Sequence, residues 1–107
     1  MQKPATGESS EQIRERVIAA RERQLQRQQK ANRFLSNKEI EQHCKLGKAD
    51  EELLAQVMEK FRLSARAYHR ILKVARTIAD LAGEEKIQTV HISEAVSYRA
   101  MDRLNIQ

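Results

Sequence analysis

Three cations, Arg66, Arg70 and Lys73, fall along one side of the stretch SARAYHRILKVARTIADLAG, residues 64–83. At 100° per residue, Arg66, Lys73 and Thr77 nearly coincide, with Arg70 about 40° away. Arg66 is the unusual member. If Ser64 is the N-cap, Arg66 falls in the first turn, where a cation opposes the helix dipole. An arginine placed beside free backbone N–H groups suits an approaching anion, and its fork suits phosphate oxygens. The competing account is a solvated arginine at a mildly unfavourable position.

The other chemistry-bearing residues are sparse. There is no G-x-x-x-x-G-K-[ST] loop to cradle a phosphate. His43 and Cys44 are adjacent, which points them apart on a helix, and no Cys/His set has zinc spacing. His69 and His91 are expected to be structural or solvated, and no metal site is expected. No carboxylate pair stands in an apolar setting, so acid–base catalysis is not indicated. The chain alone is not expected to be an enzyme.

The elements that position these residues are helices. The 107 residues correspond to one domain, with 40% apolar residues, 4% aromatics, one proline and three glycines. The expected fold is all-α, a small bundle of about five helices with an aliphatic core. Residues 1–8 are expected to be mobile and to resemble a loop cut from something larger, with the helical domain at 9–107. Ser9 and Gln12 form a capping box, opening a basic helix expected over residues 10–33. Its front, with Ile13, Val17 and Ala20 on one apolar line and Ile18 and Leu25 on another, is expected to pack, and its polar back to project. Ser36 and Glu39 form a second box before a short helix with Leu35 and Ile40 inward. A third helix over about 50–61 carries Leu53, Leu54, Val57, Met58 and Phe61 as its apolar face. In the fourth, Ala67, Ile71, Val74, Ile78 and Leu81 recur at helical spacing, widened by Leu72, Ala75, Ala79 and Ala82, and Gly83 closes it. KIQTVH is expected as an extended link to a last helix with Ile92, Ala95, Val96 and Leu104 inward.

The formal net charge is +5, and residues 1–33 hold eight Lys or Arg against four Glu. Arg16, Arg23 and Arg27 are therefore candidate contacts for DNA or another acidic partner, with a solvated face as the plain alternative. Few aromatics weaken a single-strand-binding platform. The lone Cys44 suits a reducing cytoplasm without proving one. No apolar run is long enough to span a membrane.

The segment LSARAYHRILKVARTIADLAG, with GESSEQIRERVIAARERQLQRQ before it and VHISEAVSYRAMDRL after it, resembles the C-terminal region of magnesium-chelatase-like AAA+ ATPases, nearest their competence-linked ComM branch. The resemblance covers roughly residues 7–104. It implies an all-helical lid following an α/β nucleotide-binding core. The arginine of S-x-R, here Arg66, would be the sensor 2 residue reaching ATP held with Mg2+ by that core or by a ring neighbour. Arg70 would be a second phosphate or inter-subunit contact. Lys73 stands where the family often has arginine, so a two-pronged contact is less secure there. The family further implies a cytoplasmic ring, commonly a hexamer, acting on DNA as a branch-migration motor or, in the chelatase relatives, on a porphyrin. A free-standing basic DNA-binding module and a histone-like dimer are the alternatives.

Overall fold

Capping chemistry sets the starts of three helices. Ser9 Oγ accepts from the Gln12 N–H at 3.1 Å, while Gln12 Oε1 accepts from the Ser9 N–H at 3.0 Å. Ser36 and Glu39 repeat the exchange at 3.2 and 2.9 Å. Ser64 Oγ accepts from the Ala67 N–H at 3.2 Å. Each cap satisfies backbone donors that a helix start leaves open.

The computed structural model describes residues 9–105, with side chains through residue 98. It comprises α1 (Ser10–Gln28), a 3-10 turn (Asn32–Phe34), α2 (Asn37–His43), α3 (Lys48–Lys60), α4 (Ala65–Leu81) and α5 (Thr89–Asn105). No strand occurs among the described residues. The all-α expectation holds. The segment 1–8 and the side chain of Leu104 lie outside the described residues.

α4 is the central element, packed against α1, α2, the 3-10 turn and α5. Ala67, Ile71, Leu72, Ala75 and Ala79 are buried. Ile71, Leu72, Ala75 and Ala79 join Leu35, Ile40, Leu54, Ile87, Ile92 and Ala95 in one core. The small side chains at 75 and 79 let neighbouring helices approach closely. Gly83, at φ 75°, closes α4 in the left-handed region. The N–H groups of Gly83 and Glu84 there bond the carbonyls of Asp80 and Ala79 at 3.1 and 2.9 Å.

Several expectations are corrected. α1 stops at Gln28, not 33, because Gln29 turns left-handed at φ 62°. Its packing also differs from the expectation at every apolar position but Ala20. Ile13, Val17, Ile18 and Leu25 are 43–51% exposed, whereas Ala20, Gln24 and Gln28 are buried. The polar back docks because α4 offers it a charged and hydrogen-bonding partner, described below. The link before α5 is shorter than KIQTVH, since Thr89, Val90 and His91 are already helical. The Gln88 carbonyl accepts from the His91 and Ile92 N–H groups at 2.9 and 3.2 Å, and Gln88 N–H donates to His91 Nδ1 at 2.9 Å. α3 starts at Lys48, behind Gly47 as N-cap. Phe61 and Ala82 are exposed because both sit at helix C-caps, beyond the packed face.

Glu39 shows how a cap tunes an acid. Its carboxylate accepts the Ser36 N–H and also Lys30 Nζ at 2.9 and 3.0 Å. The backbone bond first, then Lys30, lower its pKa from the usual 4.5 to about 2. A lowered folded value means that this contribution is full above pH 4.5 and is lost as pH falls toward 2. Glu39→Gln, which keeps a side-chain cap, should flatten the loss of thermal stability across that window, followed by circular dichroism. An acid limb as steep as the wild type's would exclude this role.

Cys44 caps the end of α2 and is buried in the core. Burial pushes its thiol up from 9.0 to about 11. That lowers the thiolate fraction at neutral pH by about a hundredfold. Labelling by a disulfide reagent should therefore be slow in buffer and rapid in denaturant. Fast labelling in buffer would contradict the burial.

Candidate functional site

Ser64 caps α4, so Arg66 occupies the first turn as expected. The first turn of α4 has no acidic residue, and its last turn has no basic one. Arg66 and Arg70 are exposed. Neither makes a hydrogen bond or ion pair with a described residue. Lys73 is half-buried and its Nζ lies 3.5 Å from the Arg33 carbonyl oxygen. The head of the central helix thus presents an unengaged guanidinium next to N–H groups that have no helical acceptor. That arrangement can receive an anion.

The opposite end of α4 holds a polar hub that the sequence reading missed. Asp80 is fully buried and Arg76 nearly so. Arg76 Nη2 lies 3.1 Å from Asp80 Oδ1. Arg27 forks onto the same carboxylate, with Nη1 to Oδ1 at 2.9 Å and Nη2 to Oδ2 at 3.1 Å. Asn32 Nδ2 donates to Asp80 Oδ2 and to Thr77 Oγ1, both at 3.0 Å. Asn32 Oδ1 accepts from Gln28 Nε2 at 2.6 Å, and Gln24 Oε1 accepts from the Asn32 N–H at 3.0 Å. Arg23 Nη1 donates to the Asp80 carbonyl oxygen at 2.9 Å. Arg76 also donates to the carbonyls of Glu84 and Glu85 at 3.0 and 3.1 Å. Burial lowers the Arg76 pKa, against which Asp80 acts. Fork pairing of this kind suits a desolvated arginine.

Arg23 and Arg27, expected as candidate DNA or partner contacts, belong to this hub. Both side chains reach α4, although Arg23, like Arg16, stays exposed. The signal that could have found the hub is Arg76–Asp80, an i, i+4 pair lying on the same side of α4 as Leu72 and Ala79.

The histidines behave as structural residues. His91 is buried and accepts the α5 cap bond. His69 Nε2 sits 3.8 Å from Glu41. Among the described residues, no group of three or more His, Cys, Asp or Glu could hold a metal ion. No described helix is long and apolar enough to cross a membrane.

With this geometry in place, comparison with known proteins is decisive on family. Residues 7–99 match the family described as magnesium chelatase, subunit ChlI C-terminal. The chain belongs to that family. It is 54% identical over 98 residues to Competence protein ComM of Haemophilus influenzae, covering 92% of this chain and 19% of that protein. It is 52% identical over 100 residues to the uncharacterized protein YifB of Escherichia coli, covering 94% and 20%. It is 32% identical over 99 residues to the uncharacterized protein Rv2897c of Mycobacterium tuberculosis, covering 89% and 20%. The chain therefore spans about a fifth of the length of these relatives. In this magnesium chelatase C-terminal domain, the hub closes one end of α4 and leaves Arg66 open at the other.

Proposed function

We propose that this domain is the helical lid of an AAA+ ATPase, with Arg66 as its sensor 2 residue. The observation that carries the reading is Arg66 itself: exposed, unpaired among the described residues, and set against the dipole at the head of the central helix. Stability alone gives no reason for that placement. A nucleotide phosphate does. Membership of the family and the likeness to a competence protein support the same reading. ATP and Mg2+ would be held by an α/β core outside this chain, on the same subunit or a neighbour in a ring such as a hexamer. Arg66 would meet the terminal phosphates, where positioning and charge stabilisation dominate the chemistry of phosphoryl transfer. The motor would act in the cytoplasm, on DNA in preference to a porphyrin. The test is Arg66→Ala in a full-length ATPase carrying this domain, read as ATP turnover alongside the domain's helix content.

The alternative, a free-standing DNA-binding module reading through α1, is disfavoured by the hub. Arg23 and Arg27 are held by Asp80, and α1 is shorter than that reading needs.

A further inference from the structure

The fold sorts its arginines and lysines into two sets. Arg23, Arg27 and Arg76 are committed to Asp80 and main-chain carbonyls. Arg21, Arg33, Arg70 and Lys73 pair with no described carboxylate. They line two adjoining grooves, of about 380 and 400 Å³, that share Asn32, Arg33, Thr77 and Leu81. Neither lining contains an acidic residue. The floor along α4 is aliphatic, made by Val74, Ile78 and Leu81.

One aromatic side chain lines the second groove, and another neighbours an arginine shared by both. Tyr98 lines the second groove and is 53% exposed. Phe34 is 62% exposed and lies beside Arg33, whose guanidinium sits 4.7 Å from its ring centre. Composition alone argues against a stacking platform, because the chain has only two Phe and two Tyr. The fold brings Tyr98 into the lining of the cationic groove and leaves Phe34 exposed next to Arg33, which lines it.

We propose that this groove binds single-stranded nucleic acid. Phosphates meet Arg21, Arg33, Arg70 and Lys73, and unpaired bases lie on Tyr98 and Phe34. Cations tracking a backbone beside exposed aromatic faces are the chemistry of single-strand binding. A duplex offers phosphates but keeps its base faces stacked, so it leaves the aromatic and aliphatic part of the groove unused. Arg70 and Lys73 thereby serve a polymer along the helix, while Arg66 stays with the nucleotide. The inference shares with the functional reading only nucleic acid as a partner. It is tested without ATP, so its failure is distinguishable from a failure of Arg66.

The experiment titrates a labelled, mixed-sequence single-stranded oligonucleotide with the 107-residue chain at several salt concentrations, followed by fluorescence anisotropy. Arg33→Glu with Arg70→Glu should weaken binding by about tenfold or more, as expected when phosphate contacts are lost. Lys73→Ala should lower the slope of log affinity against log salt by about 0.7. Tyr98→Ala should cost about fivefold or more, the lower bound for a stacked base. Lys48→Glu with Lys60→Glu, the same charge change on α3, should have little effect. Melting curves confirm that each variant is folded. Absent binding, or equal losses in the groove and α3 variants, would overturn the proposal. So would a duplex held equally tightly with no dependence on Tyr98, or preference for an acidic, leucine-containing peptide, which would assign the groove to a protein.

Discussion

Asp80→Ala should cost the domain about 3–5 kcal/mol, the loss typical of breaking a buried ion pair from one side. A domain of ordinary stability has only about 5–15 kcal/mol in total, so the variant would sit near its unfolding threshold. The reason is specific to the hub. Removing the carboxylate leaves Arg76 buried with no counter-ion, takes the carboxylate from the Arg27 fork and leaves Asn32 Nδ2 with Thr77 alone. The Nε of Arg76 already has no hydrogen-bond partner, so only the neutral carbonyls of Glu84 and Glu85 would remain to this guanidinium. Urea unfolding followed by far-UV circular dichroism measures the loss. The companion variant replaces the whole set, with Arg27→Met, Arg76→Met and Asp80→Leu. It should recover most of the stability, because a packed apolar cluster needs no charge compensation. A loss under about 1 kcal/mol for Asp80→Ala would mean that water reaches the guanidinium groups and that the hub is not a dry ion cluster.

Arg66→Ala has the opposite signature. In a full-length ATPase carrying this domain, turnover should fall by roughly a hundredfold or more, the scale of losing one donor to a developing anion. The domain itself should lose no stability, and removing a cation from the first turn should raise it by about 0.3–1 kcal/mol. Arg66→Lys should lie between, since it keeps the charge but not the planar fork. The pairing of lower turnover with unchanged or higher stability separates a phosphate-binding residue from a structural one. Unchanged turnover would remove Arg66 from the reaction.

The frame of the fold was legible because its signals are local. Ser9–Gln12, Ser36–Glu39 and Ser64 each act over three residues, and the structure forms all three caps where the sequence places them. The face of α4 was legible for the same reason, since burial follows the helical period. α1 was misread because its packing depends on a residue far along the chain. Ile13, Val17 and Ile18 mark an apolar line, but the core lies elsewhere. The back of the helix docks instead, since Asp80 of α4 supplies the charge that Arg27 needs. Hydropathy counts Arg27, Gln28 and Asn32 as solvent-seeking, whereas hydrogen bonding makes them a packing surface. At the candidate site, the position of Arg66 could be read from its cap. The groove could not, because Arg21, Arg33 and Arg70 come from three separate parts of the chain and meet only in the fold.

The Schellman closure and the Asp80 hub together clamp the tail of α4 to α1 and to the loop that follows. Its head, at the far end of one uninterrupted 17-residue helix, carries the side chains of Arg66 and Arg70 into solvent. Such a helix is a stiff rod of roughly 25 Å, and its buried residues from Ala67 to Asp80 hold it along its length. A ligand tugging on Arg66 would therefore move α4 together with the core packed around Ile71 and Leu72, and with whatever lies in the groove along it. In mechanical terms α4 is the spine of a rigid body and the hub a rivet that fastens α1 to it, so weakening the rivet would let α1 slip even where the arginine at the far end is intact.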